Sequence, residues 1–257
     1  GRPADQDFHL VPHACFDQRL DGVLHRGHGR GEQCRHGHDL RILVLDRHGR
    51  LLRPFTNSVG IWRLPIAFDE LDPRYFAILF AYEDNRFYKH NGVDKRAFAR
   101  AIWQLTYNRR AISGASTLTM QVARLLDDRP TRSYVAKVGQ VFRSWQLEEM
   151  LTKREILELY LKLAPFGGNI EGIRAASLAY FGKEPKRLSV AEAAMLVALP
   201  QSPEQRRPDR NPEAVRIARN RVIDRAAAAG VITQAEADYA KQQPIPTNRH
   251  NFPSLAP

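Results

Sequence analysis

An acidic pair, Glu83–Asp84, closes an apolar and aromatic run that holds Tyr75, Phe76, Ile78, Leu79 and Phe80. Phe87, His90, Gly92 and Asp94 follow within one short segment. A carboxylate beside apolar surface and close to a chain reversal has its charged form disfavoured, so its pKa rises toward the range useful for an acid or a base. The same residues also read as a helix that simply ends in charged side chains. Which reading holds depends on whether the rest of the chain supplies chemistry for such a group to act on.

Polar and cationic residues follow downstream. Ser113-Gly114-Ala115-Ser116-Thr117 is a small-residue loop leading straight into a helix expected over 118–126. Free amides and hydroxyls at a helix N-terminus hold anions, although a plain cap by Ser116 is the simpler reading of that loop alone. Gln121 and Arg124 lie about one turn apart and can share a face with Ser116 and Thr117. Arg129, Arg132, Lys137 and Arg143 come next. Any one of these reads as a solvated surface charge. Gathered on one surface, they would hold a doubly charged pyrophosphate beside a carboxylate.

The elements that must position these groups are mostly helical. Residues 41–55 hold two apolar runs around Asp46-Arg47-His48-Gly49 and read as a β-hairpin. Asp72-Pro73 opens the helix that runs to Glu83, and Asp94 can cap a helix in which Phe98, Ile102, Trp103 and Leu105 recur at helical spacing. The helical region over 134–163 contains the capping box Thr152-x-x-Glu155, so two helices are expected to meet there. Pro165 to Asn169 reads as a loop. Ser189-x-x-Glu192 caps a compact apolar helix that stops at Pro200. A further helix is expected over 213–229, and Thr233-x-x-Glu236 opens the last one.

Composition narrows the setting. A chain of 257 residues with 43% hydrophobic content can bury one good core, and no stretch is long and apolar enough for a transmembrane helix. The formal charge of +11 points to an anionic partner: nucleic acid, an anionic membrane surface or a phosphorylated substrate. Residues 1–40 carry Cys15, Cys34 and six of the nine histidines with no apolar period, and read as a poorly ordered arm. Cys34, His36 and His38 lack the spacing of a structural zinc site, and no residue is assigned as a metal ligand. The chain begins at Gly1 without a signal-peptide pattern and reads as part of something longer.

Several motifs in register carry a resemblance. Glu83-Asp84-x-x-Phe87-x-x-His90-x-Gly92-x-Asp94 resembles the first motif of the family 51 peptidoglycan glycosyltransferases, the chain-polymerising domains of class A penicillin-binding proteins. The run from Gly114 to Gln121 is similar to their second motif, and Lys153-x-x-Ile156-Leu157-Glu158-x-Tyr160-Leu161 to their fourth. Tyr180-Phe181-Gly182-Lys183 and Glu192-Ala193-Ala194 also fit, while Pro165 to Asn169 and Leu199 to Pro203 look most like the 1C type. The resemblance covers the chain from about Ile42 onward.

It implies a mainly α, lysozyme-like helical domain with a small N-terminal β-hairpin. The expected organisation is an arm over 1–40, a hairpin entrance over 41–64, the glycosyltransferase domain over 65–242 and a linker over 243–257. The implied activity is polymerisation of lipid II, a disaccharide-peptide on a polyprenyl pyrophosphate, at the outer face of the cytoplasmic membrane. Glu83 would be the general base, with Asp84, Phe87, His90, Gly92 and Asp94 supporting its motif. Ser116, Thr117, Gln121, Arg124, Arg132, Lys137 and Gln140 map to positions that grip phosphate and donor. The implied partners are lipid II, the nascent glycan strand, the membrane surface and other cell-wall synthesis proteins, with no nucleic acid. Mg²⁺ or Mn²⁺ is the implied assistant, with no organic cofactor. Trp103, Leu105, Tyr107 and Ile112, flanked by Arg109 and Arg110, would face the membrane.

The sequence departs from the family pattern in places. Ala136-Lys137-Val138-Gly139-Gln140 stands where Arg-Lys-x-x-Glu is usual, so the second family carboxylate is a neutral amide, as in the 1C type. That amide pairs less strongly with a cation or metal. Ala115 replaces a glycine, and Lys162 replaces an asparagine. The anchor helix expected before the hairpin and the transpeptidase domain expected after the tail fall outside this chain, and no Ser-x-x-Lys acylation motif occurs. Three other readings compete: a lysozyme-like peptidoglycan hydrolase, an inactive lipid II-binding remnant and a nucleic-acid module. The last accounts for the charge but not for the acidic pair.

Overall fold

The computed structural model describes residues 9–12, 42–48, 50–97, 99, 116–127 and 134–254. Strands β1 (His9–Pro12), β2 (Ile42–Leu45) and β3 (Leu51–Pro54) form an antiparallel sheet in that order. β2 and β3 are the expected hairpin. The Asp46 carboxylate organises its turn by accepting from the His48 and Arg50 amides, both at 2.8 Å, and from Arg50 Nε at 2.6 Å. These donors, the Arg50 amide foremost, hold the Asp46 carboxyl down at about 2. His9–Pro12 differs from the poorly ordered arm expected over 1–40, because the free edge of β2 offers backbone groups to pair with. The rest of that arm lies outside the described residues.

Helix α1 (Pro73–Glu83) begins where Asp72-Pro73 predicts. The Asp72 carboxylate accepts from the Arg74 amide at 2.9 Å and from the Leu188 amide at 2.9 Å, so the cap also ties this helix to a distant part of the chain. Helices α2 (Leu118–Leu125), α3 (Tyr134–Met150) and α4 (Lys153–Leu163) follow, with the break between α3 and α4 at the Thr152–Glu155 capping box. Helices α5 (Ile173–Phe181), α6 (Val190–Ala198), α7 (Pro212–Ala228) and α8 (Gln234–Gln242) complete the set.

Every residue of α6 except Glu192 is buried. A helix that is apolar all round belongs at the centre of a core, and α1, α5, α7 and α8 pack around it. A second group, α2 on α3 and α4, stands beside this core.

The segment expected as a loop at Pro165 to Asn169 is instead part of a second sheet. Strand β5 (Pro165–Gly167) turns back into β6 (Ile170–Glu171), and β4 (Trp62–Arg63) runs parallel to β6 on its other side. Gly167 and Gly168 make the reversal at φ 99° and 61°, a left-handed region that suits glycine. A Gly-Gly-Asn turn is itself a hairpin signal. The tail beyond Gln243, expected as a linker, lies against the body. The His250 amide donates to the Ala179 carbonyl at 2.8 Å, and Phe252 stacks on Trp62 with ring centroids 4.3 Å apart. Among the described residues, no helix is long and apolar enough to cross a membrane.

Candidate active site

Glu83 is the last residue of α1, so its side chain leaves the core at the point where the chain reverses. Its carboxylate accepts from Gln121 Nε2 at 2.8 Å and from Gln201 Nε2 at 2.7 Å. Surrounding protein strips water from the group and raises its pKa, against the opposing pull of the two amides and of Arg225 and Arg206. The carboxyl therefore holds its proton more tightly than an ordinary glutamate, as the acidic pair beside an apolar run predicts.

Glu83 borders a cleft of about 260 Å³ lined by Tyr82, Ser116, Met120, Gln121, Arg124, Lys137, Gln140, Gln201 and Arg225. The sequence-derived candidates Glu83, Ser116, Gln121, Arg124, Lys137 and Gln140 thus meet on one surface. Lys137 Nζ donates to Ser116 Oγ at 2.5 Å. Burial, and then the nearby Arg124, lower the Lys137 pKa. Two cations held this close repel each other, and an anion between them relieves that cost.

Asp84, Phe87, His90, Gly92, Asp94 and Thr117 do not line the cleft; they build its frame. Asp84 is buried, accepts from the Leu118 amide at 3.1 Å, and has both carboxylate oxygens 3.0 Å from His90 Nε2. Phe87 is a buried core side chain whose ring stands nearly perpendicular to that of His90, with centroids 6.4 Å apart. Gly92 sits at φ 78°, and a Cβ there would lie 2.8 Å from the Ser144 carbonyl of α3, so only glycine lets the two segments approach. Asp94 accepts from the Arg96 and Ala97 amides and pairs with Arg86 at 3.1 Å, which is the expected capping role.

The cap of α2 corrects one expectation. Thr117, not Ser116, is the N-cap: its hydroxyl accepts from the Met120 amide at 3.1 Å and donates to the Gly92 carbonyl. With Asp84 taking the Leu118 amide, two of the amides that could have held an anion are already occupied. Anion binding therefore passes to side chains, and the freed Ser116 hydroxyl is one of them. Arg143 also leaves the expected cationic group, since it pairs with Asp127 at 3.3 Å and does not line the cleft. Arg129, Arg132, the loop over 113–115 and the membrane-facing candidates lie outside the described residues.

Sequence reading missed Tyr82, Met120, Gln201 and Arg225 as lining residues. Gln201 falls in a stretch already singled out, Leu199 to Pro203, but nothing local aims it at Glu83. Arg225 comes from α7, and its guanidinium lies over the Tyr82 ring at 5.5 Å. No motif marks it.

A family model described as Transglycosylase matches residues 48–227. Penicillin-binding protein 1C of Escherichia coli K12 is 48% identical over 215 residues, which is 84% of this chain and 28% of that protein. Penicillin-binding protein 1A of the same organism is 36% identical over 188 residues, covering 73% of this chain and 22% of its own length. The chain thus spans roughly a quarter of the length of these two curated relatives. A shorter Cupriavidus necator protein, named as a transglycosylase, is 38% identical over 165 residues, 64% of this chain and 71% of that one. With the model covering most of its length and the first motif built around a half-buried glutamate, this chain belongs to the transglycosylase family.

Proposed function

We propose that this domain is a peptidoglycan glycosyltransferase that joins lipid II units into β-1,4-linked glycan strands. One observation carries the reading: Glu83, with its raised pKa, shares a small cleft with Ser116, Arg124 and Lys137. A carboxylate that holds a proton more tightly than usual on one side and an anion grip on the other suit transfer from a glycosyl pyrophosphate.

In this reading the Glu83 carboxylate takes the proton of the acceptor sugar's 4-hydroxyl. The oxygen forms its bond to the donor's anomeric carbon as the bond to the pyrophosphate oxygen breaks, which inverts that centre. Charge builds on the departing polyprenyl pyrophosphate, where Lys137 and Arg124 stabilise it and Ser116 and Gln140 offer hydrogen bonds. The lipid II substrate sets the working place at the outer face of the cytoplasmic membrane, with the growing strand as second partner.

A divalent cation fits this cleft poorly as a resident group. Its side chains, among the described lining residues, are one carboxylate, three amides and the hydroxyls of Ser116 and Tyr82 beside three cations, not the carboxylate-rich set that holds Mg²⁺ or Mn²⁺. No step is assigned to it. The hydrolase reading fares worse on the same side chains. Glycoside hydrolysis ordinarily uses two carboxyl groups across the bond, whereas Glu83 is the one carboxylate among the described lining residues.

The test is polymerisation of purified lipid II in detergent by the purified chain, alongside Glu83→Gln. Strands form with the first and not with the second if the reading holds. Binding of lipid II without extension by the unaltered chain would point to the remnant instead, and release of fragments from finished peptidoglycan to the hydrolase.

A further inference from the structure

We infer that Gln201 is a positioning residue for Glu83: its amide, held in one orientation by Arg206 and Tyr82, keeps that carboxylate ionised and aimed into the cleft. The inference rests on the reading of Glu83 as the base. Gln201 Nε2 donates to Glu83 Oε1 at 2.7 Å, while Gln201 Oε1 accepts from Arg206 Nη1 at 3.2 Å and from the Tyr82 hydroxyl at 3.5 Å. Turning the amide over would set its oxygen against the carboxylate and its NH₂ against the guanidinium. Hydrogen-bond chemistry therefore fixes which end faces Glu83. Arg206 is itself anchored, since Nη1 also donates to the Ala198 carbonyl at the end of α6 at 2.6 Å. The tether thus runs from the central helix to the carboxylate.

Gln121 grips the other oxygen, Oε2, at 2.8 Å from α2. One neutral donor on each oxygen fixes the plane of the carboxylate and leaves its other lone pairs for a substrate hydroxyl. A protonated Glu83 would turn an O–H toward one of these N–H donors and lose that bond, so both amides favour the ionised form. They do this without adding a formal charge that would make the carboxylate too acidic for a base. Other charged and titratable groups surround Glu83 as well. Arg225 of α7 and Arg206 favour its charge, Arg124 of α2 and Lys137 of α3 share the cleft, and Tyr75 of α1 and Tyr160 of α4 are buried close enough to feel it. Gln201 is the group through which the Arg206 guanidinium contacts the carboxylate.

The experiment is a carbon-13 NMR titration of the Glu83 carboxyl in the whole chain, its resonance identified by its loss in Glu83→Gln. The comparison is with Gln201→Met, which keeps the bulk and removes the donor. The midpoint should rise by roughly one pH unit, the size expected for losing a hydrogen bond to a charged group. Gln201→Glu, which sets a second carboxylate there, should raise it further. The acid limb of the kcat/KM profile for lipid II should move by the same amount. A midpoint unmoved in Gln201→Met overturns the inference. Failure of the unaltered chain to polymerise lipid II would count against the glycosyltransferase reading instead, and the titration would still decide the role of Gln201.

Discussion

A cleft of about 530 Å³ opens between β3, β4 and the C-terminal tail, larger than the cleft of about 260 Å³ at Glu83. The larger one is walled by Arg53, Trp62, Asn169, Arg249, His250 and Phe252, with no carboxylate among its described lining residues. Its side chains already have partners: Trp62 stacks on Phe252, and Arg249 turns to residues outside the lining, lying over the Tyr180 ring and pairing with Asp209 at 3.4 Å. The smaller cleft brings a carboxylate of raised pKa against three cations, two of which repel each other. Volume alone therefore says little about function. Groups held at an electrostatic cost that a substrate can relieve say more.

The contrast can be broken most directly at Glu83. Glu83→Gln should lower lipid II polymerisation by roughly 10²- to 10⁴-fold, the usual worth of a general base, while the protein still unfolds cooperatively. Activity near that of the unaltered chain would remove Glu83 from the chemistry. Next in size is Lys137→Ala, which should weaken a pyrophosphate inhibitor by roughly 10- to 100-fold, the loss of one charge-assisted hydrogen bond. Arg216→Ala is its control, because Arg216 is exposed and paired with Glu213 at 2.6 Å, a surface contact worth little. Equal losses from the two variants would dissolve the distinction between a cationic cleft and a generally basic surface.

The larger cleft predicts a different response. Trp62→Ala should cost about 1–3 kcal/mol in denaturant unfolding, through the lost stack on Phe252 and lost packing, and leave kcat unchanged. A drop in kcat at unaltered stability would mean that the tail cleft takes part in catalysis. The smallest effect is one of pH. Glu83 binds its proton more tightly folded than unfolded, so its contribution to stability is fully present below the unfolded pKa and is lost as pH rises through the raised folded value. Relative to Glu83→Gln, the unaltered chain should therefore lose stability as pH rises above the unfolded glutamate's value of about 4 and through the raised folded one, which thermal melts at a series of pH values would show. A pH-independent difference would indicate an ordinary, solvated carboxylate.

How far these features could be read in advance follows from their range along the chain. The helix starts at Asp72, Thr152, Ser189 and Thr233 lie where their capping residues place them, because a cap is a contact between residues two to four apart. The Asp46 turn is local in the same way. The short sheet at Pro165 to Glu171 was harder to read, since β4, its third strand, lies more than a hundred residues earlier. In the cleft, Lys137 and Gln140 share a face of α3, but Arg143 is six residues on, about 120° around the helix, and faces Asp127. Helical spacing limits which side chains can share a face, and only packing decides which face meets the cleft.

By itself, then, the sequence determined most of the helices, the caps at Asp72, Thr152, Ser189 and Thr233, the hairpin and the glutamate at a helix end beside apolar surface, since each is set by neighbours along the chain. Tertiary structure alone decided that Thr117 caps α2 and leaves Ser116 to Lys137, that Arg225 reaches the cleft from α7, and that Gln201 meets Glu83 from 118 residues away. Those contacts depend on how α1, α2, α3 and α7 converge around the core. No local pattern encodes that convergence, because it is a property of the packed whole.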